Sequence, residues 1–110
     1  LNDDKGAAAV AELGEAHARY VRVDVSDEGA VTAAIDEAAG FLGGLNVAIN
    51  CAGILGAGRV LAKEGAMPLA QFRGTVMVNL VGSFNVAKAA AAPMPHNEAR
   101  ADGERGVIVN

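Results

Sequence analysis

Along the chain the spacing of hydrophobic positions changes several times, and each change predicts an element. "DDKGAAAVAELG" reads as a helix with acidic residues in its first turn and Gly14 as its C′ residue. "ARYVRVDVSD" then reads as a strand, rich in Val and carrying Tyr20. Ser26 is the expected N-cap of the next helix, with Asp27 and Glu28 in its first turn. Val31, Ala34, Ile35, Ala38 and Leu42 follow at helical periodicity, and Gly43 and Gly44 end the stripe. "LNVAIN" is a short apolar strand of the kind buried on both faces. A loop holding Gly56, Gly58 and Gly65 leads to Pro68, which suits the start of a helix. That helix runs through "LAQFRGTVMVNLVGSFNVAKAAAA", with a break expected near Gly74 or Asn79, and Pro93 and Pro95 stop it. "HNEARADGERG" is polar and aperiodic, hence an exposed loop, and "VIVN" is a third buried strand.

The resulting order is helix, strand, helix, strand, long helix, strand. Such alternation predicts an α/β fold with parallel strands, right-handed crossovers and helices on both faces. The 110 residues fit part or all of one domain. Aromatics make up only 4% of the chain, so its core must be built mainly from Ala, Val, Leu and Ile. A net charge of −4 provides no basic field for nucleic acid. No segment approaches the roughly 20 apolar residues of a membrane span, and no signal-peptide pattern begins the sequence. One cysteine rules out an internal disulfide and suits a reducing compartment. The expectation is a soluble protein of the cytoplasm, or of the mitochondrial matrix in a eukaryote. Leu1 is no initiator Met, and "GVIVN" ends the sequence on an apolar run, so both ends read as cuts through a longer domain.

In open α/β sheets, ligands gather at the carboxyl ends of strands. The residues there are Asp24 and Val25, then Asn50, Cys51, Ala52 and Gly53, then Asn110. Asp24 can accept a hydrogen bond from a nucleobase amine while Val25 offers its N–H and an apolar wall. Equally, Asp24 can serve the start of the following helix. Cys51-Ala52-Gly53 leaves room for a flat or sugar-like ligand against the main chain, or is an ordinary strand-to-loop turn. Cys51 has no neighbouring His in sequence and is a poor nucleophile candidate. Asn79 lies between Val78 and Leu80 within an apolar helix, where it either satisfies a buried backbone group or supports an active site. His17 and His96 are isolated, and no metal-ligand spacing is present. Gly53, Gly56 and Gly58 lack the spacing of a phosphate cradle and open a loop instead of a helix.

Four segments together, "VDVSD", "NVAINCAGI", "VNLVGSFNV" and "GVIVN", resemble the classical short-chain dehydrogenases/reductases in sequence and spacing. The resemblance covers nearly the whole chain. It implies that residues 1–110 are part of a single NAD(P)-binding Rossmann-type domain, an incomplete doubly wound parallel sheet comprising strands 3, 4 and 5 with their helices. The implied cofactor is NAD, with NADP as the alternative. Asp24 and Val25 match the pair that contacts adenine. Asn50, Cys51, Ala52 and Gly53 match the Asn-Asn-Ala-Gly motif beside the adenosine ribose, with Cys51 in place of the second Asn. Asn79 matches the helix Asn of the catalytic tetrad, whose backbone carbonyl holds a water of the proton relay. Within the family, the chain is similar to the type-2 3-hydroxyacyl-CoA dehydrogenases in its Asn-Cys-Ala-Gly variant, its long "LGAGRVLAKEGAMPLAQF" loop and its "PHNEARADGERG" insertion.

The resemblance also defines what these residues lack: the Gly-rich loop and first strand, the acidic residue ending the second strand, the catalytic Ser and the Tyr-x-x-x-Lys pair. Tyr20 lies on the wrong strand to replace that Tyr. The chain alone is therefore not expected to catalyse, whereas a full-length protein would move hydride between NAD(P) and a secondary alcohol or ketone, 3-hydroxyacyl-CoA/3-oxoacyl-CoA above all. The alternatives are a 3-oxoacyl carrier-protein reductase, a steroid dehydrogenase, or a nucleotide-binding module without catalysis. A homotetramer is implied as well, through the Ala-rich helix "FNVAKAAAA". Finally, a 3-2-1-4-5-6 strand order predicts that "NVAIN" and "VIVN" pair in parallel while "RYVRVDV" touches neither.

Overall fold

A computed structural model describes residues 2–110. Its elements are helices α1 (Asp3–Leu13) and α2 (Glu28–Leu42), strand β1 (Val47–Ile49), a small hairpin of β2 (Leu61–Ala62) and β3 (Gly65–Ala66), helix α3 (Leu69–Val76), a π-helical stretch (Met77–Gly82), helix α4 (Ser83–Ala91), a 3-10 turn (Met94–His96) and strand β4 (Val107–Val109). β1 and β4 pair in parallel, with Val47 opposite Val107, Ala48 opposite Ile108 and Ile49 opposite Val109. Bonds from Val107 N to Asn46 O (2.9 Å) and from Asn50 N to Val109 O (2.8 Å) extend the ladder at either end.

The core lies on one face of this pair. Leu45, Ala48, Ala90 and Met94 are buried together, with Ile35, Ala39 and Ile108 packed against them. α2 and α4 therefore share a face and touch each other, as expected when two successive right-handed crossovers step in the same direction. Asn97 ties down the polar insertion: its Nδ2 donates to Leu45 O (2.8 Å) and Arg105 O (2.7 Å), joining the entries to both strands.

Several expectations are corrected. Residues 20–24 belong to no regular element, Val25 begins a turn, and none of them joins a ladder among the described residues, because neither β1 nor β4 lies beside them. Their lack of ladder bonds to β1 agrees with the predicted strand order. β1 is buried on one face only; Val47 and Ile49 point to the other, where the described residues supply no helix, and Ile49 is 63% exposed. The N-cap of α2 is Asp27, whose Oδ1 accepts from Ala30 N (2.9 Å), and Ser26 sits one residue earlier. The segment before Pro68 is not loop throughout but contains the β2–β3 hairpin, which turns at Lys63 and Glu64 and enters β3 at Gly65 with φ +126°. The long helix is continuous through Gly74 and changes to π geometry at Met77–Gly82, around Asn79.

The radius of gyration is 17.2 Å with extents of 56 × 34 × 24 Å, against about 13 Å for a compact chain of roughly this length. α1 and the hairpin stand away from the β1–β4 core. α1 is held to segment 20–25 through Asp3, whose carboxylate accepts from the Tyr20 hydroxyl (3.0 Å) and from Arg22 (2.6 Å). Among the described residues no helix is long and apolar enough to cross a membrane.

Candidate functional site

The carboxyl ends of segment 20–25 and of β1 face each other across a cavity of about 430 Å³. It is lined by Val23, Asp24, Val25, Cys51, Ala52, Gly53, Ile54 and Val78. Five residues singled out from sequence meet here from two separate segments: Asp24 and Val25 on one wall, Cys51 to Gly53 on the other. Its size falls within the roughly 300–1,000 Å³ usual for small-molecule sites.

On the first wall, Asp24 Oδ1 accepts from Ser26 N (2.9 Å) and Ser26 Oγ (2.7 Å). These two bonds, the hydroxyl's first, hold the Asp24 carboxyl below its ordinary value. Asp24 thus does serve the entry to α2, by a turn ahead of the cap, and its Oδ2 takes part in no hydrogen bond among the described residues. Val25 is fixed from behind. Asn85, only 5% exposed, donates its Nδ2 to Val25 O (3.0 Å). Gly82 is buried against the Val25 side chain, and a Cβ there would sit 2.5 Å from Val25 Cγ2.

On the second wall, small side chains follow β1 and the loop is tied to the long helix. Asn79 Oδ1 accepts from Ile54 N (2.9 Å) and its Nδ2 donates to Ile54 O (3.0 Å). This two-bond clamp explains an amide in the middle of an apolar helix: it satisfies the main chain of a loop that has no strand partner. The π stretch around it is a rare local widening, frequent at functional sites. Ser83 Oγ donates to the Asn79 main-chain carbonyl (2.8 Å). Asn79, Leu80, Ser83, Phe84, Ala87 and Asn110 line a second cavity of about 390 Å³.

Asn50 does not line the first cavity. Its Nδ2 donates to Asn110 Oδ1 (2.6 Å) and to Ser83 O (3.3 Å), so it joins the ends of both strands to the helix. Cys51 is an exposed free thiol on the cavity wall. Tyr20 bonds Asp3 on α1, away from the cavity. No cluster of three His, Cys, Asp or Glu residues fit to hold a metal occurs among the described residues.

Sequence reasoning missed Gly82, Asn85 and Ile54. The available signal was a second Asn, six residues after Asn79, within the same apolar helix.

A parallel β-α-β unit with a cleft at its strand ends, walled by small residues and an Asp, defines an α/β architecture of Rossmann type. The chain matches the short chain dehydrogenase family over residues 1–110, and it belongs to that family. It is 39% identical to 3-hydroxyacyl-CoA dehydrogenase type-2 of Drosophila melanogaster over 112 residues, covering 100% of this chain and 44% of that protein. It is also 39% identical to a 3-alpha-(or 20-beta)-hydroxysteroid dehydrogenase of Mycobacterium tuberculosis over 108 residues, covering 98% of this chain and 37% of that one. Among solved structures, 3-hydroxyacyl-CoA dehydrogenase type-2 from Mycobacterium avium superposes with a TM-score of 0.84 at 34% identity, over 98% of this chain and 42% of that one. A 7 alpha-hydroxysteroid dehydrogenase complexed with NADH and 7-oxo glycochenodeoxycholic acid gives 0.75 at 26% identity, over 96% of this chain and 38% of that one. The chain thus spans less than half the length of these relatives.

Proposed function

We propose that the full-length protein containing these residues is an NAD(P)-dependent oxidoreductase acting on a secondary alcohol or ketone, with 3-hydroxyacyl-CoA/3-oxoacyl-CoA as its substrate pair and NAD as its cofactor. The observation that carries this reading is the meeting of Asp24 and Val25 with Cys51, Ala52 and Gly53 around one cavity. The lining fits the adenosine half of a dinucleotide. Asp24 Oδ2 is available to accept from the adenine amine, Val25 offers a main-chain N–H and an apolar wall, and the small residues 51–53 leave room for a ribose. Asn50 steadies the strand ends from behind. When bound, the nicotinamide gives or takes the hydride. Asn79 lines the neighbouring cavity, where its carbonyl is suited to holding a water of a proton relay, while its side chain keeps the 50–54 loop in place.

Similarity to type-2 3-hydroxyacyl-CoA dehydrogenases favours an acyl-CoA thioester; equal identity to a hydroxysteroid dehydrogenase makes a steroid the competing substrate. A homo-oligomer, tetrameric by family resemblance, is proposed to assemble through the Ala-rich helix "FNVAKAAAA". The exposed thiol of Cys51 suits a reducing compartment, the cytoplasm or a mitochondrial matrix.

The test is oxidation of NADH by the full-length protein, with acetoacetyl-CoA in one arm and a ketosteroid in the other. Turnover of the thioester is expected. Faster turnover of the steroid reassigns the substrate, and cofactor binding without turnover of any carbonyl compound rejects the enzyme in favour of a nucleotide-binding module. Asn79→Ala is expected to lower kcat by about 100-fold, the lower range for loss of proton-transfer catalysis, and also to weaken NADH binding, since it releases the Ile54 clamp on the cavity wall. Unaltered turnover removes the Asn79 side chain from the catalytic machinery.

A further inference from the structure

We infer that Ser83 is a positioning residue for proton transfer, its hydroxyl holding the main-chain carbonyl of Asn79 as the acceptor of the relay water. The inference rests on the function proposed above.

In a regular α-helix the amide N–H of Ser83 would donate to the carbonyl four residues earlier, which belongs to Asn79. Here that amide donates to Leu80 O, at the end of the π stretch Met77–Gly82. The Ser83 hydroxyl meets Asn79 O in its place, at 2.8 Å. Donor and acceptor lie about one helical turn apart, so the bond is internal to the helix. Thr32 and Thr75 make the same kind of bond, to Glu28 O (2.9 Å) and Gln71 O (3.1 Å), inside α2 and α3. Ser83 makes it where the helix type changes.

The exchange of donors has a chemical consequence. A carbonyl oxygen carries two lone pairs. With the hydroxyl on one of them, a water that bonds the same oxygen is confined in direction. Asn79 cannot aim its own carbonyl, because its side chain is committed to both main-chain groups of Ile54. Ser83 is anchored independently of that clamp: its main-chain carbonyl accepts from Asn50 Nδ2 (3.3 Å), which also donates to Asn110 Oδ1 (2.6 Å). The hydroxyl therefore refers the Asn79 carbonyl to the carboxyl ends of β1 and β4. Removing it should disturb proton transfer while the Ile54 clamp, and with it the cofactor cavity, stays in place.

The experiment is steady-state kinetics of the full-length protein in ordinary and heavy water, with NADH and acetoacetyl-CoA, or a ketosteroid if that is what the wild type reduces. Ser83→Ala is expected to lower kcat about tenfold, as for the loss of one hydrogen bond. It should also enlarge the solvent isotope effect on kcat, as proton transfer becomes the slower step, and leave NADH affinity as in the wild type. Ser83→Thr keeps a hydroxyl able to bond the same carbonyl and should retain kcat. Ser83→Val, of the same shape without the hydroxyl, should lose it, and this pair carries the test if the Ala variant does not fold. Equal kcat in the Thr and Val variants overturns the inference. So does a Ser83→Ala variant whose isotope effect is unchanged, whatever its Tm, because a merely structural role does not move that readout. A wild type that binds NADH and reduces neither carbonyl compound rejects the proposed function itself.

Discussion

The rim of the cavity and the arm that leaves it are held by different means. At the rim, residues 24–25, 50–54 and 79–85 come from three separate parts of the chain, and asparagine amides bridge them: Asn85 to Val25, Asn79 to Ile54, Asn50 to Ser83 and Asn110. The arm, residues 55–68, is closed by its own two-residue strands and by the bond from Met67 N to Val60 O (3.0 Å). It leaves Leu55 93%, Val60 82% and Leu61 74% exposed. Past the strand ends, where main chain from distant segments meets, a side-chain amide supplies donor and acceptor together. Where the geometry is local, a turn suffices. Substitutions at the rim should therefore be costly and those in the arm mild.

The largest expected effect is the roughly 100-fold loss of kcat in Asn79→Ala, because that side chain holds the loop on one wall of the cleft while the residue also lines the neighbouring cavity. Gly82→Ala ranks next. Ala gains about 1 kcal/mol of helix propensity, but its Cβ would press on Val25 Cγ2 at 2.5 Å, and overpacking of about 1–3 kcal/mol should leave the variant less stable in chemical denaturation. A stabilised variant would show that Val25 moves freely and would erase the contrast with the arm.

Ser26→Ala is expected to act through pH. With two bonds from Ser26, Asp24 has a folded-state value below its ordinary 3.8. A carboxyl lowered on folding stabilises the native state fully above that ordinary value, and the contribution disappears as pH falls through the lowered folded value. The variant loses the hydroxyl bond, so its Asp24 should titrate closer to 3.8 in an NMR pH titration. The stability difference from wild type should be largest above that pH and shrink in acid. An Asp24 titration unmoved by the substitution would contradict the assigned role of the hydroxyl. The smallest effect belongs to the arm: Leu61→Ser, at a largely exposed position, should change stability by no more than about 0.5 kcal/mol and leave NADH affinity unaltered.

Much of this was legible in the chain. α1 and α2, with Gly14 and Gly43 at their ends, follow from periodicity and caps, and the parallel pairing of residues 47–49 with 107–109 follows from element order. Asp24, Val25 and Cys51 to Gly53 converge because strand ends in such sheets do. Other features were not legible, for physical reasons. Whether residues 20–25 form a ladder depends on neighbours, which a Val-rich pattern does not specify. Ser26 and Asp27 are both good caps, and only the geometry of the Asp24 turn decides between them. The β2–β3 hairpin, with two residues in each strand, is too short to register as alternation. The π stretch was legible only as an expected break near Gly74 or Asn79, not as a change of helix type, since one widened turn shifts the pattern by less than a residue. Asn85 looked like any polar residue until its partner, 60 positions away, was in place.

Central to all of this is the claim that the cleft between residues 24–25 and 51–53 receives the adenosine half of the cofactor. Cys51 is an exposed free thiol on its wall, so the alkylation rate of Cys51 in the full-length protein, read by peptide mass spectrometry, reports directly on occupancy. Saturating NADH, and ADP-ribose in its place, should each slow alkylation by at least about tenfold, as occupancy of a site at many times its Kd excludes the reagent. A Cys51 that reacts at the same rate with and without saturating NADH would place the cofactor elsewhere and contradict the account.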